Sequence, residues 1–218
     1  MAREGFDSGA AVTRSLLGWG VVAGPFYLLF GLVLALTRTG FDLARHPLSA
    51  LLLGDHGWLQ ALNLILTGVM VGAAALGFRR AIAGRRGGAA AVLLGVYALC
   101  LVLSALFPPD PANGFPPGVA AEATTSGLLH LVFGAIGFLC VGAAALIVAG
   151  ELPGPVFSRV AGVVVIVGFL GGAALSSGSA GIALLWVAVV AGWAWLAVAS
   201  VRAYRVVPHP ELARRTTA

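Results

Sequence analysis

The chain has 218 residues, of which 60% are hydrophobic and only 10% charged, and its formal net charge is +5 at neutral pH. Soluble domains carry about a quarter charged residues, so this chain lacks the material to cover a water-facing surface or to form a second, soluble domain. All thirteen basic residues are Arg, scattered over the ends of apolar runs, which argues against a nucleic-acid partner and for a role in setting membrane topology. The absence of Lys and the excess of Ala, Gly and Val fit the codon bias of a GC-rich bacterial genome.

Apolar runs of about twenty residues recur along the whole length. They predict spans at 15–37, 57–78, 88–107, 127–149, 156–175 and 181–203. The expected fold is all-α: a polytopic membrane protein whose residues 1–218 form a single transmembrane domain, a six-helix bundle. The first run follows Arg3 and Arg14 and exceeds the roughly 7–15 apolar residues of a cleavable signal, so it reads as a retained span. Pro25 predicts a kink within it.

The loop at 38–56 should contain a short helix, with Pro47 at its first position, an apolar run over 48–53 and Gly54 to end it. Asp55 then stands where an N-cap of the second span belongs. In that span Gln60, Asn63 and Thr67 fall at i, i+3 and i+7, one face of a helix, and amides in hydrocarbon must be paired inside the bundle. The loop at 108–126 carries five prolines and the turn pair Asn113-Gly114. In the fourth span Ser126 and His130 stand four apart, with His130 about one turn below the surface.

Cys100 and Cys140 lie about 10 Å and 20 Å deep at 1.5 Å rise per residue, too far apart in depth for a disulfide, and are expected to be free. Pro153 and Pro155 crowd the start of the fifth span, and a Ser/Gly run dilutes its end. Glycines paired at four, 20/24, 68/72 and 168/172, suit close helix packing within the bundle.

Counting Arg in the connections orients the chain. Eleven fall on one side (3, 14, 79, 80, 85, 86, 159, 202, 205, 214 and 215), and only Arg38 and Arg45 fall on the other. The positive-inside rule then puts both termini in the cytoplasm of a bacterial plasma membrane.

The polar residues are as one-sided as the Arg. Three of the four His, three of the four Asp and the amides Gln60, Asn63 and Asn113 map to the outer half. A candidate catalytic set is His130, His46, Asp110 and Ser49, since imidazole beside carboxylate serves acid–base chemistry and can orient a nucleophile. Gln60, Asn63 and Trp58 are candidate substrate-binding groups. Two His with a carboxylate could also hold a metal, but no specific metal or hydrolase motif is present, so metal and cofactor stay open.

Each residue also has a plainer role. His46 can satisfy backbone groups at a helix start, Asp110 can form an Asx turn, and Trp58 can anchor the interface. Gln60 and Asn63 can join helices, and His130 can be a hydrogen-bonded structural group.

The stretch His46-Pro-Leu-Ser-Ala-Leu-Leu-Leu-Gly-Asp-His-Gly-Trp58, followed by Gln60 and Asn63, resembles the bacterial membrane family called domain of unknown function 998. So do Phe107-Pro-Pro-Asp-Pro, Gly114-Phe-Pro-Pro-Gly118 and Gly127-Leu-Leu-His130, and the likeness runs from about the first span to the sixth. The resemblance implies a six-span membrane protein common in actinobacteria, and it brings no established activity.

Two functions follow as expectations. One is a pocket facing the outer leaflet, lined by spans two, three and four, that binds or processes a lipid or hydrophobic small molecule. The other is a non-enzymatic accessory protein or a small transporter, although midplanes nearly free of charge disfavour ion-coupled transport. Membrane lipids are partners in either case, and oligomeric state is open.

Overall fold

The computed structural model describes residues 6–211. Six helices account for most of them: α1 (Ser8–Thr37), α2 (Gly57–Ala81), α3 (Gly84–Leu106), α4 (Thr125–Val148), α5 (Pro155–Ala174) and α6 (Ser179–Val206). All six are long and apolar enough to cross a membrane. Each packs on its neighbours in sequence and α1 packs on α6, so the six close into a ring; α6 also touches α2 and α4. Among the described residues there is no strand, only an isolated bridge between Ala112 and Phe115.

The expected spans match the six helices with small shifts. The largest is at α1, which begins seven residues early because Asp7 caps it, its carboxylate accepting from Ala10 N–H at 2.9 Å. Apolar length marks the part of a helix in hydrocarbon, whereas a cap marks where the helix begins. At α5, Pro155 takes the first helical position and Gly154 turns the chain into it at φ 75°. α1 runs unbroken through Pro25.

The expected short helix is a 3₁₀ helix over Leu48–Leu52, with Pro47 at its N-cap and Gly54 beyond it at φ 76°. Asp55 is not the N-cap of α2. His56 occupies that position with no side-chain cap, and Asp55 is exposed. Here the start of α2 is set by packing: a Cβ on Gly57 would run into the Leu52 carbonyl of the 3₁₀ helix.

The outward faces carry Leu29, Val33, Leu36, Val69, Val92 and Val167, all exposed, while Gln60, Asn63 and Thr67 are fully buried. This distribution suits lipid, which solvates apolar side chains but cannot satisfy amides. The glycine pairs work inside the ring. Gly20 abuts Ser200 and Ala74, Gly24 abuts Trp193, and Gly68 abuts the Ala98 carbonyl, so α1, α2, α3 and α6 approach closely. At the centre Trp193 of α6 lies between Tyr27 of α1 and Tyr97 of α3, with ring centroids 5.2 and 5.7 Å away. Cys100 and Cys140 are free thiols.

One end of the ring carries both chain ends, where Asp7 N–H donates to the Pro210 carbonyl and Arg14 Nη1 to that of Val207, at 2.8 Å. Arg3, Arg214 and Arg215, which entered the orientation count, lie outside the described residues. The opposite end carries the two long loops.

Candidate functional site at the loop-bearing end

The loop after α1 folds on itself before it meets anything else. Asp42 Oδ1 accepts from Ala44 N–H at 2.8 Å, and the Asp42 carbonyl accepts from His46 N–H at 2.8 Å. The His46 ring closes this turn, its Nδ1 accepting from Asp42 N–H at 2.9 Å. Nε2 therefore carries the proton, and it donates to the Asn113 carbonyl at 3.1 Å, in the other long loop. Phe41 and Phe115 pack on the imidazole at centroid distances of 5.2 and 5.4 Å, and His46 is buried.

Asn113 is the hub of this end. With Gly114 it forms a two-residue turn at φ 55° and 85°, which the Asn-Gly pair suits. Its carbonyl also accepts from Arg45 Nη2 at 3.1 Å. Its amide donates to the carbonyls of Arg45 and Ser176, at 3.1 and 3.2 Å, so three connections meet on one side chain. The turn is readable from Asn-Gly; the long-range acceptors have no local signal.

Asp110 is engaged differently. Its carboxylate accepts from the Thr124 hydroxyl at 2.6 Å and from Thr124 N–H at 3.2 and 3.3 Å. Thr124 Oγ1 in turn accepts from Gly127 N–H at 3.0 Å, as the N-cap of α4. The carboxylate so close to Gly127 leaves no room for a Cβ there. Negative charge at a helix N-terminus is favourable, so Asp110 and Thr124 form a two-part cap.

His130, in the second turn of α4, reaches the end of α3. Its Nδ1 donates to the carbonyls of Phe107 at 2.8 Å and Ser104 at 3.2 Å. Those carbonyls would ordinarily accept from residues 108 and 111, but both are proline and have no N–H. The imidazole supplies the donor that the prolines remove. Ser126, one turn earlier, donates to the Pro108 carbonyl at 2.9 Å and strengthens the same joint.

The face Gln60, Asn63, Thr67 does point inward. Asn63 Nδ2 donates to the Tyr27 carbonyl at 3.1 Å and to Gln60 Oε1 at 3.2 Å, and the Thr67 hydroxyl donates to Asn63 Oδ1 at 3.4 Å. Gln60 Nε2 is fully buried and has no partner among the described residues. Trp58 is exposed, and Ser49, half-buried on the 3₁₀ helix, makes no side-chain hydrogen bond among the described residues.

Of the seven candidates, then, only Gln60 and Asn63 are hydrogen-bonded to each other. No hydrogen bond joins His46, Ser49, Asp110 and His130 to one another among the described residues, and none of those residues groups three His, Cys, Asp or Glu as a metal site would. A groove of about 550 Å³ at this end is lined by Leu43, Ala44, Ser179, Ala180, Ala183 and Trp186, and includes none of the seven.

Comparison with known proteins returned no match among curated proteins and none among solved structures. A family profile described as protein of unknown function (DUF998) matches residues 21–202, from within α1 to near the end of α6. With most of its length matched, including both long loops and the residues that join them, the chain belongs to the DUF998 family.

Proposed function

We propose that this protein is a multi-pass protein of a bacterial plasma membrane, with cytoplasmic termini, that binds a lipid or hydrophobic small molecule bearing a hydrogen-bond acceptor. The ligand lies within the outer half of the bundle, beneath the joined loops. The carrying observation is Gln60 Nε2, a buried amide donor without a partner among the described residues. An unmade hydrogen bond of this kind costs about 1–3 kcal/mol, so such an atom is commonly matched by a ligand or a bound water. Asn63 holds the amide in place by donating to its oxygen, and is itself held by the Thr67 hydroxyl, which leaves the Gln60 nitrogen to donate.

Binding is better supported than turnover. Both ring nitrogens of His46 and both oxygens of Asp110 are engaged in holding loops. Among the catalytic candidates His130 Nε2 is the ring nitrogen left for proton transfer, and Ser49 has no hydrogen-bonded base among the described residues. The same consumption of polar groups favours a second reading, a non-enzymatic accessory protein.

The test is mass spectrometry of hydrophobic molecules that co-purify with the full chain in mild detergent, beside Gln60→Leu. One compound near stoichiometry, reduced at least tenfold in the variant, is the expected result. No enriched compound, with Gln60→Leu the more heat-stable protein, overturns the proposal. A stoichiometric protein partner held by both variants, again with no enriched compound, assigns the accessory role.

A further inference from the structure

At the end that carries the termini, tight connections bring the first turn of α3, the last turn of α4 and the start of α5 around one groove. It encloses about 480 Å³ and is lined by Arg85, Arg86 and Arg159 over a floor that includes Ala89, Leu146 and Ile147. The carboxylate of Glu151, beside it, is already paired with Arg86 at 2.8 Å. Arg85 and Arg159 make no hydrogen bond or ion pair among the described residues.

Topology alone asks only that Arg lie on this side of the membrane, not that three guanidinium groups share a groove. Two of them occupy the first turn of α3, where the positive end of the helix dipole disfavours cations. Neither α3, with Ala83 at its N-cap, nor α5, with Gly154, has a side chain capping its first N–H groups. The last turn of α4, whose Leu146 and Ile147 line the groove, brings the negative end of a helix dipole to it. An excess of positive charge is therefore held over an apolar floor at the edge of two spans.

We propose that this groove binds the phosphate of an anionic lipid headgroup from the leaflet on the side of the termini, with an acyl chain along Leu146 and Ile147. Guanidinium groups suit phosphate oxygens, and a basic recess between helix ends suits a headgroup. The apolar floor favours a lipid over a free anion. This inference is independent of the ligand proposed near Gln60.

The experiment is native mass spectrometry of the full chain in mild detergent, titrated with phosphatidylglycerol or phosphatidylcholine, beside thermal-shift measurements with inorganic phosphate. Phosphatidylglycerol is expected to be retained at least tenfold over phosphatidylcholine. Arg85→Gln/Arg159→Gln should abolish that preference, and Arg79→Gln/Arg80→Gln, which removes two exposed charges outside the lining, should keep it. Equal retention of both lipids, or the same loss in both double variants, overturns a built site. Protection by inorganic phosphate without retention of phosphatidylglycerol overturns the lipid assignment. All variants are on exposed positions, and their melting temperatures establish that each is folded.

Discussion

Where the loops 38–56 and 107–124 meet, His46, Asp110, Asn113 and Ser126 direct their polar atoms to partners in the protein. At the other end, Arg85 and Arg159 line a groove without any such partner among the described residues. The first arrangement spends polar groups on order: long irregular backbone near a membrane must have its N–H and C=O groups satisfied, and five prolines remove several of the usual donors. The second leaves charge available. Polar substitutions at the loop end should therefore change stability, whereas those at the terminal end should change binding.

The largest effect is expected for His46→Ala. It removes two hydrogen bonds and the packing of Phe41 and Phe115, leaves the Asp42 N–H unpaired, and leaves the Asn113 carbonyl with Arg45 alone. A loss of about 3 kcal/mol in unfolding free energy should follow, read by denaturation in detergent; a loss under about 0.5 kcal/mol would remove the contrast between the ends.

Gly127→Ala comes next, at about 2 kcal/mol, because the new methyl meets the Asp110 carboxylate. Combining it with Asp110→Ala should recover part of that cost, and strict additivity in the double-mutant cycle would break the two-part cap. A change of opposite sign is expected for Ser200→Ala. Its buried hydroxyl has no partner among the described residues and abuts Gly20, so thermal scans should show stability unchanged or raised by up to about 1 kcal/mol. Smallest is Arg86→Gln. Its ion pair with Glu151 is 66% exposed on the Arg side, and its loss should cost below about 0.5 kcal/mol. A larger loss would mean that the terminal end, too, is held together by its charges.

What could be read from the sequence depended on the range of the interaction involved. The 3₁₀ helix between Pro47 and Gly54 and the Asn113-Gly114 turn were legible because Pro, Gly and Asn act through their own backbone angles. The inward face of Gln60, Asn63 and Thr67 was legible because helix period and the cost of an amide in lipid leave little choice. Asp55 misled because cap propensity is local, while the start of α2 is decided by Gly57 against the Leu52 carbonyl. His46, Asp110 and His130 were picked out by chemical type, yet their partners lie 67, 14 and 23 residues away.

By itself the sequence determined six membrane-crossing helices, their approximate limits and the family, since hydropathy and turn residues act within a span or a turn. Only the tertiary structure decided that the helices close into a ring, that His46 joins loops and that His130 supplies the donors missing from Pro108 and Pro111. It also decided that Gln60 Nε2 has no partner among the described residues and that three Arg share one groove. Each of those depends on which groups meet across the fold, and a hydrogen bond or an ionic contact is decided within about 3–4 Å, a distance that residue order alone does not encode.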